Sequence, residues 1–250
     1  MRIIAKPKIL SCILLCALFS VLGYAQQRGD LYAVLVGVSK YSNSEKNLTY
    51  CHEDAKSMYD VLKLQTHESR LKLLTDDNAT QANIVMTAEA LFSQTKPEDM
   101  VIFFFSGHGT PGMFIAHDKP LEFSKLQTIF KKTKAKRKII FADSCFSGSF
   151  RTSGDSATKP NTGLDSSVML FLSSRTGQPS LESPNRQGGL FTWYLTMGLK
   201  GGADANRDRV IVARELFNFV NPRVSRDSKG KQIPVMWGKF SDNMIIADWR

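Results

Sequence analysis

Three short runs of apolar, mostly β-branched and aromatic residues constrain this chain more than any other feature: residues 31–38 (LYAVLVGV), 100–105 (MVIFFF) and 138–142 (KIIFA). None alternates apolar with polar positions, so each reads as a strand covered on both faces, the pattern of a parallel sheet between helices. The stretches between them carry helical periodicity. Ala55, Met58, Tyr59 and Leu62 recur on one face within residues 48–64, Thr80 is suited to cap a helix over 81–92 after a turn at 76–80, and 123–130 repeats the pattern. Further strands are expected at 70–74 and 168–172, with a short extended piece at 113–116. Helices are expected at 190–199, stopped by Gly201-Gly202, and at 215–220, and an edge strand at 233–237, where Pro234 withholds a ladder donor. The fold class is therefore α/β, a mostly parallel sheet with helices on both faces. With 250 residues, 42% of them hydrophobic, one such domain can bury its own core.

The first 25 residues are set apart. Arg2, Lys6 and Lys8 precede an apolar run from Ile9 to Leu22 that ends in Gly23-Tyr24-Ala25. A basic start, a short apolar stretch and small residues mark a secretory signal peptide, and the run is short of the roughly 20 residues of a membrane span. The expected mature domain is 26–250, exported to the periplasm or beyond, with no stable membrane association once the signal is removed. Cys12 and Cys16 leave with that segment, so Cys51 and Cys145 are the remaining thiols, enough for one bridge at most and not for a disulfide framework. The net charge of +10 invites comparison with nucleic-acid binders. However, the densest basic run, 131–138, has no interleaved aromatic residues for base stacking and reads as a solvated helix end, so no nucleic-acid partner is expected.

Two polar clusters stand at the carboxyl ends of predicted strands, where open α/β sheets form their sites. The strand at 100–105 runs into Ser106-Gly107-His108-Gly109, and the strand at 138–142 into Asp143-Ser144-Cys145-Phe146-Ser147-Gly148. A thiol beside an imidazole that manages its proton is the equipment of nucleophilic acyl transfer, and backbone amides can hold the oxyanion that follows. If the two strands are neighbours, Cys145 is the candidate nucleophile and His108 its acid–base partner. The amides of Gly109 and Cys145 are the candidate oxyanion donors.

These two segments resemble the signature motifs of the caspase-like cysteine peptidases, closer to metacaspases and their bacterial relatives than to animal caspases. The likeness extends to residues 48–55 (LTYCHEDA), to Gly189-Leu190-Phe191-Thr192 and to 203–215. It implies a caspase-like α/β/α sandwich of roughly six strands, the last antiparallel, and hydrolysis through an acyl-enzyme. Animal caspases accommodate an acidic side chain and carry Gln two residues before the nucleophile; here that position is Asp143. By the same resemblance Asp54 is the second pocket carboxylate, and Ser106 and Cys51 line the pocket. Two carboxylates would attract Arg or Lys and repel Asp, so the expected partners are peptides with a basic residue before the scissile bond. A catalytically silent binding module and a thiol acyl-transferase using the same pair are the alternatives.

Residues 151–167, rich in Ser, Thr, Gly and Asp, read as a mobile loop in the region where caspase relatives are often cut, and Arg151 is the candidate self-cleavage site. Asp204, Asn206, Asp208 and Glu215 have the spacing of a calcium-binding loop, although Arg209 replaces the glycine of its sharp turn. The chemistry requires no cofactor, and calcium is left open. His52 and His67 read as surface residues, His117 follows a short strand-like stretch, and no acidic or thiol cluster points to a metal site.

Overall fold

The computed structural model describes residues 29–110, 112–145, 168–175 and 177–250. The signal segment, the 151–167 loop and Arg151 lie outside the described residues.

The elements follow in chain order as β1 (Leu31–Gly37), α1 (Cys51–Leu62), β2 (Leu71–Thr75), α2 (Gln81–Phe92) and β3 (Met100–Ser106). The short strands β4 (Gly109–Thr110), β5 (Met113–Ile115) and β6 (Pro120–Glu122) come next. They lead to α3 (Phe123–Lys132), β7 (Arg137–Asp143) and β8 (Val168–Leu172). The chain continues with β9 (Glu182–Ser183), β10 (Gly188–Gly189), α4 (Leu190–Met197), β11 (Val210–Val212), α5 (Ala213–Asp227), β12 (Val235–Trp237) and β13 (Ile245–Asp248). The central sheet has six strands in the order β12-β8-β7-β3-β1-β2. All neighbours run parallel except β12, which lies antiparallel to β8 at the edge. Thr80 caps α2 as its position suggested, its hydroxyl accepting from the Asn83 amide.

The two-sided burial read from the sequence appears residue by residue along β3. Met100, Ile102 and Phe104 join one core with Ala55, Met58 and Val61 of α1, Phe191 and Leu195 of α4, and Leu216 and Val220 of α5. Val101, Phe103 and Phe105 join the other core with Ile84, Ala88 and Phe92 of α2 and Leu126 and Phe130 of α3. Side chains alternate across a strand, so a wholly apolar run is what two helical layers demand. Burying each of the three β3 phenylalanines is worth about 1.5–3 kcal/mol.

Two features differ from expectation, and the basic run follows it. Helix α5 runs well past residue 220, through Pro222. Pro222 lies on the exposed side, while Leu216, Val220 and Val224 keep the opposite face docked, so packing outweighs the missing backbone bond. Strands β11 and β13 form a separate antiparallel pair too short to signal its periodicity. The basic run divides between the end of α3, an irregular turn and the start of β7, with Lys131, Lys132, Lys134 and Lys136 exposed as a solvated helix end implies.

Candidate active site

β3 and β7 are adjacent and parallel, with Ser106 in register with Asp143. His108 and Cys145 each stand two residues past that pair, so the two strand tips present them at one edge of the sheet. The Gly107 amide donates to the Asp143 carbonyl at 3.2 Å. A Cβ on Gly109 would lie 2.9 Å from the Cys145 carbonyl oxygen and overlap the Ser144 hydroxyl, so glycine lets the two segments close on each other. Both Cys51 and Cys145 are free thiols, the first buried and the second partly exposed, as is His108.

The imidazole of His108 is oriented by its surroundings. Nε2 lies 2.8 Å from the Lys46 carbonyl oxygen, and a carbonyl only accepts, so Nε2 carries the hydrogen. In the neutral ring Nδ1 is then the basic nitrogen. The His108 backbone amide donates to the Tyr41 hydroxyl at 2.7 Å, and the two rings lie 5.0 Å apart, centre to centre. Burial holds the Tyr41 phenol protonated, well above its usual range. The His108 carbonyl accepts from the Ile115 amide, fixing the segment to the β4–β5 hairpin.

Beside these tips two buried carboxylates form a floor. Asp54, in the first turn of α1, accepts from the Ser106 hydroxyl at 2.7 Å and from the Gly189 amide at 2.8 Å. Asp143, at the end of β7, accepts from the Thr192 amide at 3.0 Å and hydroxyl at 2.7 Å, and from the Ser180 hydroxyl. Burial pushes the Asp54 carboxyl well up, and the neighbouring Asp143 charge pushes it further. Burial likewise raises Asp143, against the lowering effect of the Ser180 and Thr192 hydrogen bonds. Such a pair is destabilised without a cation. Cys51 faces the same floor, its thiol raised by burial and then by the Asp54 charge.

A caspase-domain family model matches residues 30–245. The chain belongs to the caspase-domain family. Among individual relatives, this caspase-domain chain is 27% identical over 225 residues to Metacaspase-1 of Debaryomyces hansenii, covering 75% of the chain and 49% of that protein. It is 39% identical over 93 residues to Metacaspase-2 of Arabidopsis thaliana, covering 34% of the chain and 22% of that protein. The chain thus spans about half or less of the length of these curated relatives. A crystal structure of a Geobacter sulfurreducens protein superposes with a TM-score of 0.64 at 16% identity, covering 83% of this chain and 92% of the other, a likeness of fold.

Within this caspase domain, several pocket neighbours escaped sequence reasoning. Glu182 accepts from the Thr49 and Tyr50 amides at 3.0 and 2.8 Å, closing the free N-terminus of α1, and lies 4.0 Å from Cys51 Sγ. Ser180 sits in an irregular stretch and Glu182 in a two-residue strand, both too short of pattern to give a period, and Lys46 contributes only a carbonyl. Thr192 belonged to a quoted motif, which was the available signal.

The calcium-loop residues are engaged locally. Asp204 accepts from the Asp208 and Arg209 amides, Asn206 from Asp208, Asp208 from Val210, and Glu215 from Ala205 and Val212. Arg209 takes the left-handed conformation, φ 66°, in place of the usual glycine. Among the described residues, no group of three or more His, Cys, Asp or Glu side chains is arranged to hold a metal ion. Nor is any helix among them long and apolar enough to cross a membrane.

Proposed function

We propose that this caspase domain is an exported cysteine endopeptidase that hydrolyses peptide bonds after Arg or Lys. The observation that carries the reading is the meeting of two buried carboxylates, Asp54 and Asp143, beside the strand tips bearing His108 and Cys145. A guanidinium or ammonium entering that floor supplies the missing positive charge, whereas an acidic side chain meets repulsion. Export rests on the character of residues 1–25.

In the proposed reaction the Cys145 thiol gives its proton to His108 Nδ1, and the sulfur attacks the carbonyl carbon of the basic residue. The oxyanion accepts from the Gly109 and Cys145 amides. The C–N bond then breaks as the imidazolium returns the proton to the leaving amine, forming a thioester. Water, deprotonated by His108, attacks the thioester, and the thiol leaves with the proton. The Lys46 carbonyl holds the ring in the tautomer this exchange needs.

Two fluorogenic peptides differing only in Arg or Asp before the scissile bond test the reading. Cleavage of the Arg peptide, lost in Cys145→Ala, is expected; preference for Asp removes the acidic-pocket assignment. Wild-type protein that neither cleaves nor is labelled by an arginyl chloromethylketone is a silent module. Product captured by added amines instead of water marks an acyl-transferase.

A further inference from the structure

After β8, residues 173–175 and 177–181 form no helix or strand, yet Ser180 among them reaches both Asp143 and Cys145 at the tip of β7. The Ser180 amide donates to Cys145 Sγ at 3.1 Å, and the Ser180 hydroxyl donates to Asp143. One side chain from the far end of the sequence holds it there. Gln232 is fully buried. Its Oε1 accepts from the Leu181 amide at 3.0 Å, and its Nε2 donates to the Ser173 carbonyl at 3.1 Å and to the Ser180 hydroxyl at 3.3 Å. Its own backbone is clasped at both ends by the Ser228 hydroxyl, with N–H and carbonyl each 3.0 Å away. An amide flip would set donor against donor at the Leu181 amide and acceptor against acceptor at the Ser173 carbonyl, so Gln232 has one orientation and imposes it on the segment.

A donor aimed at sulfur interacts more strongly with the thiolate than with the neutral thiol, and the thiolate is the nucleophile. We propose that the Ser180 amide is a hydrogen-bond donor to the reacting sulfur that stabilises the Cys145 thiolate, and that Gln232 is the positioning residue that aims it. The amide keeps its proton throughout; the thiol proton goes to His108 as above. The catalytic consequence rests on the reading of Cys145 as nucleophile, but the reactivity of the sulfur does not require a peptide to be measured.

The test is the rate of Cys145 alkylation by iodoacetamide at neutral pH, followed by peptide mapping so that Cys51 is counted separately. Gln232→Met keeps the side-chain bulk and removes all three side-chain bonds. It is expected to slow alkylation and kcat about tenfold with KM within about twofold, the worth of one charge-assisted hydrogen bond. Gln178→Ala is the control. Gln178 joins the same two segments through the Arg175 and Ile233 amides and the Gly230 carbonyl without touching Ser180. Its loss should lower the melting temperature and leave alkylation within about twofold. If Gln232→Met does not fold by circular dichroism, Ser180→Pro, which deletes the donor itself, gives the same readout. Wild-type alkylation in a folded Gln232→Met, or equal slowing by both glutamine variants, overturns the proposal. Slow alkylation in Gln232→Met from a protein that cleaves no peptide keeps the inference and removes the peptidase reading; cleavage with unchanged alkylation does the reverse.

Discussion

Asp54 and Asp143 converge on the same glycine: a Cβ at Gly189 would lie 2.9 Å from Oδ2 of Asp54 and overlap the Asp143 carboxylate. Gly189 also donates its amide to Asp54, so the start of α4 is at once a partner and a wall of the pocket floor. Gly189→Ala should therefore displace both acids. Its kcat/KM for an Arg peptide is expected to fall by about a hundredfold, with about 1–3 kcal/mol lost from stability by overpacking. Steady-state kinetics and denaturant melts read the two effects, and wild-type kinetics would show that the carboxylates are not the specificity element.

Replacing the charge while keeping the shape isolates the electrostatic part. Asp143→Asn should lower kcat/KM for the Arg peptide by about a hundredfold relative to a peptide with a neutral residue there, the worth of a lost buried charge partner. An equal loss on both peptides would instead mean that Asp143 acts on turnover generally.

The buried pair also predicts a slope of stability with pH. Burial raises both carboxyls, so the folded chain holds their protons more tightly than the unfolded chain, where such groups titrate near about 4. Their contribution is complete below that pH and is lost as pH rises through the folded-state values. The unfolding free energy of the wild type minus that of Asp54→Asn should fall as the pH rises above about 4, measured by guanidinium titration. A difference that grows with pH contradicts the burial argument.

Tyr41 supports His108 from outside the pocket. Tyr41→Phe leaves the part-buried His108 amide without its acceptor, at a cost of about 1 kcal/mol. Because the ring loses a neighbour that sets its backbone, kcat should fall about tenfold while KM stays near wild type. A thermal melt and a kinetic split check both parts.

The loop at Asp204 is expected to be held by its own hydrogen bonds. Asp204→Ala removes acceptors for the Asp208 and Arg209 amides and should cost about 1 kcal/mol. Calcium should leave the melting temperature of the wild type unchanged at this loop; a saturable heat in calorimetry, lost in Asp204→Ala, would reverse that expectation.

The central sheet was legible because its strands are covered on both faces. Runs such as the one in β3 leave no other way to satisfy burial and backbone pairing together. The strand-tip positions of His108 and Cys145 were legible for the same reason, since each directly follows such a run. Helix α5 was underestimated because Pro222 is a local stop signal that packing of Leu216, Val220 and Val224 overrides. The β11–β13 pair was missed because its two short strands pair across a wide gap in the chain.

What the sequence by itself determined is the layered α/β frame and the order in which it presents a histidine and a cysteine at one sheet edge. Local periodicity and strand ends encode both. Only the tertiary structure decided that Lys46 orients the imidazole, that Glu182 closes α1, and that Ser180, held by Gln232, reaches Cys145 and Asp143. These contacts join irregular segments far apart in the chain through single hydrogen bonds. A hydrogen bond between distant loops leaves no period in the sequence; it exists only once the sheet and helices have set the distances.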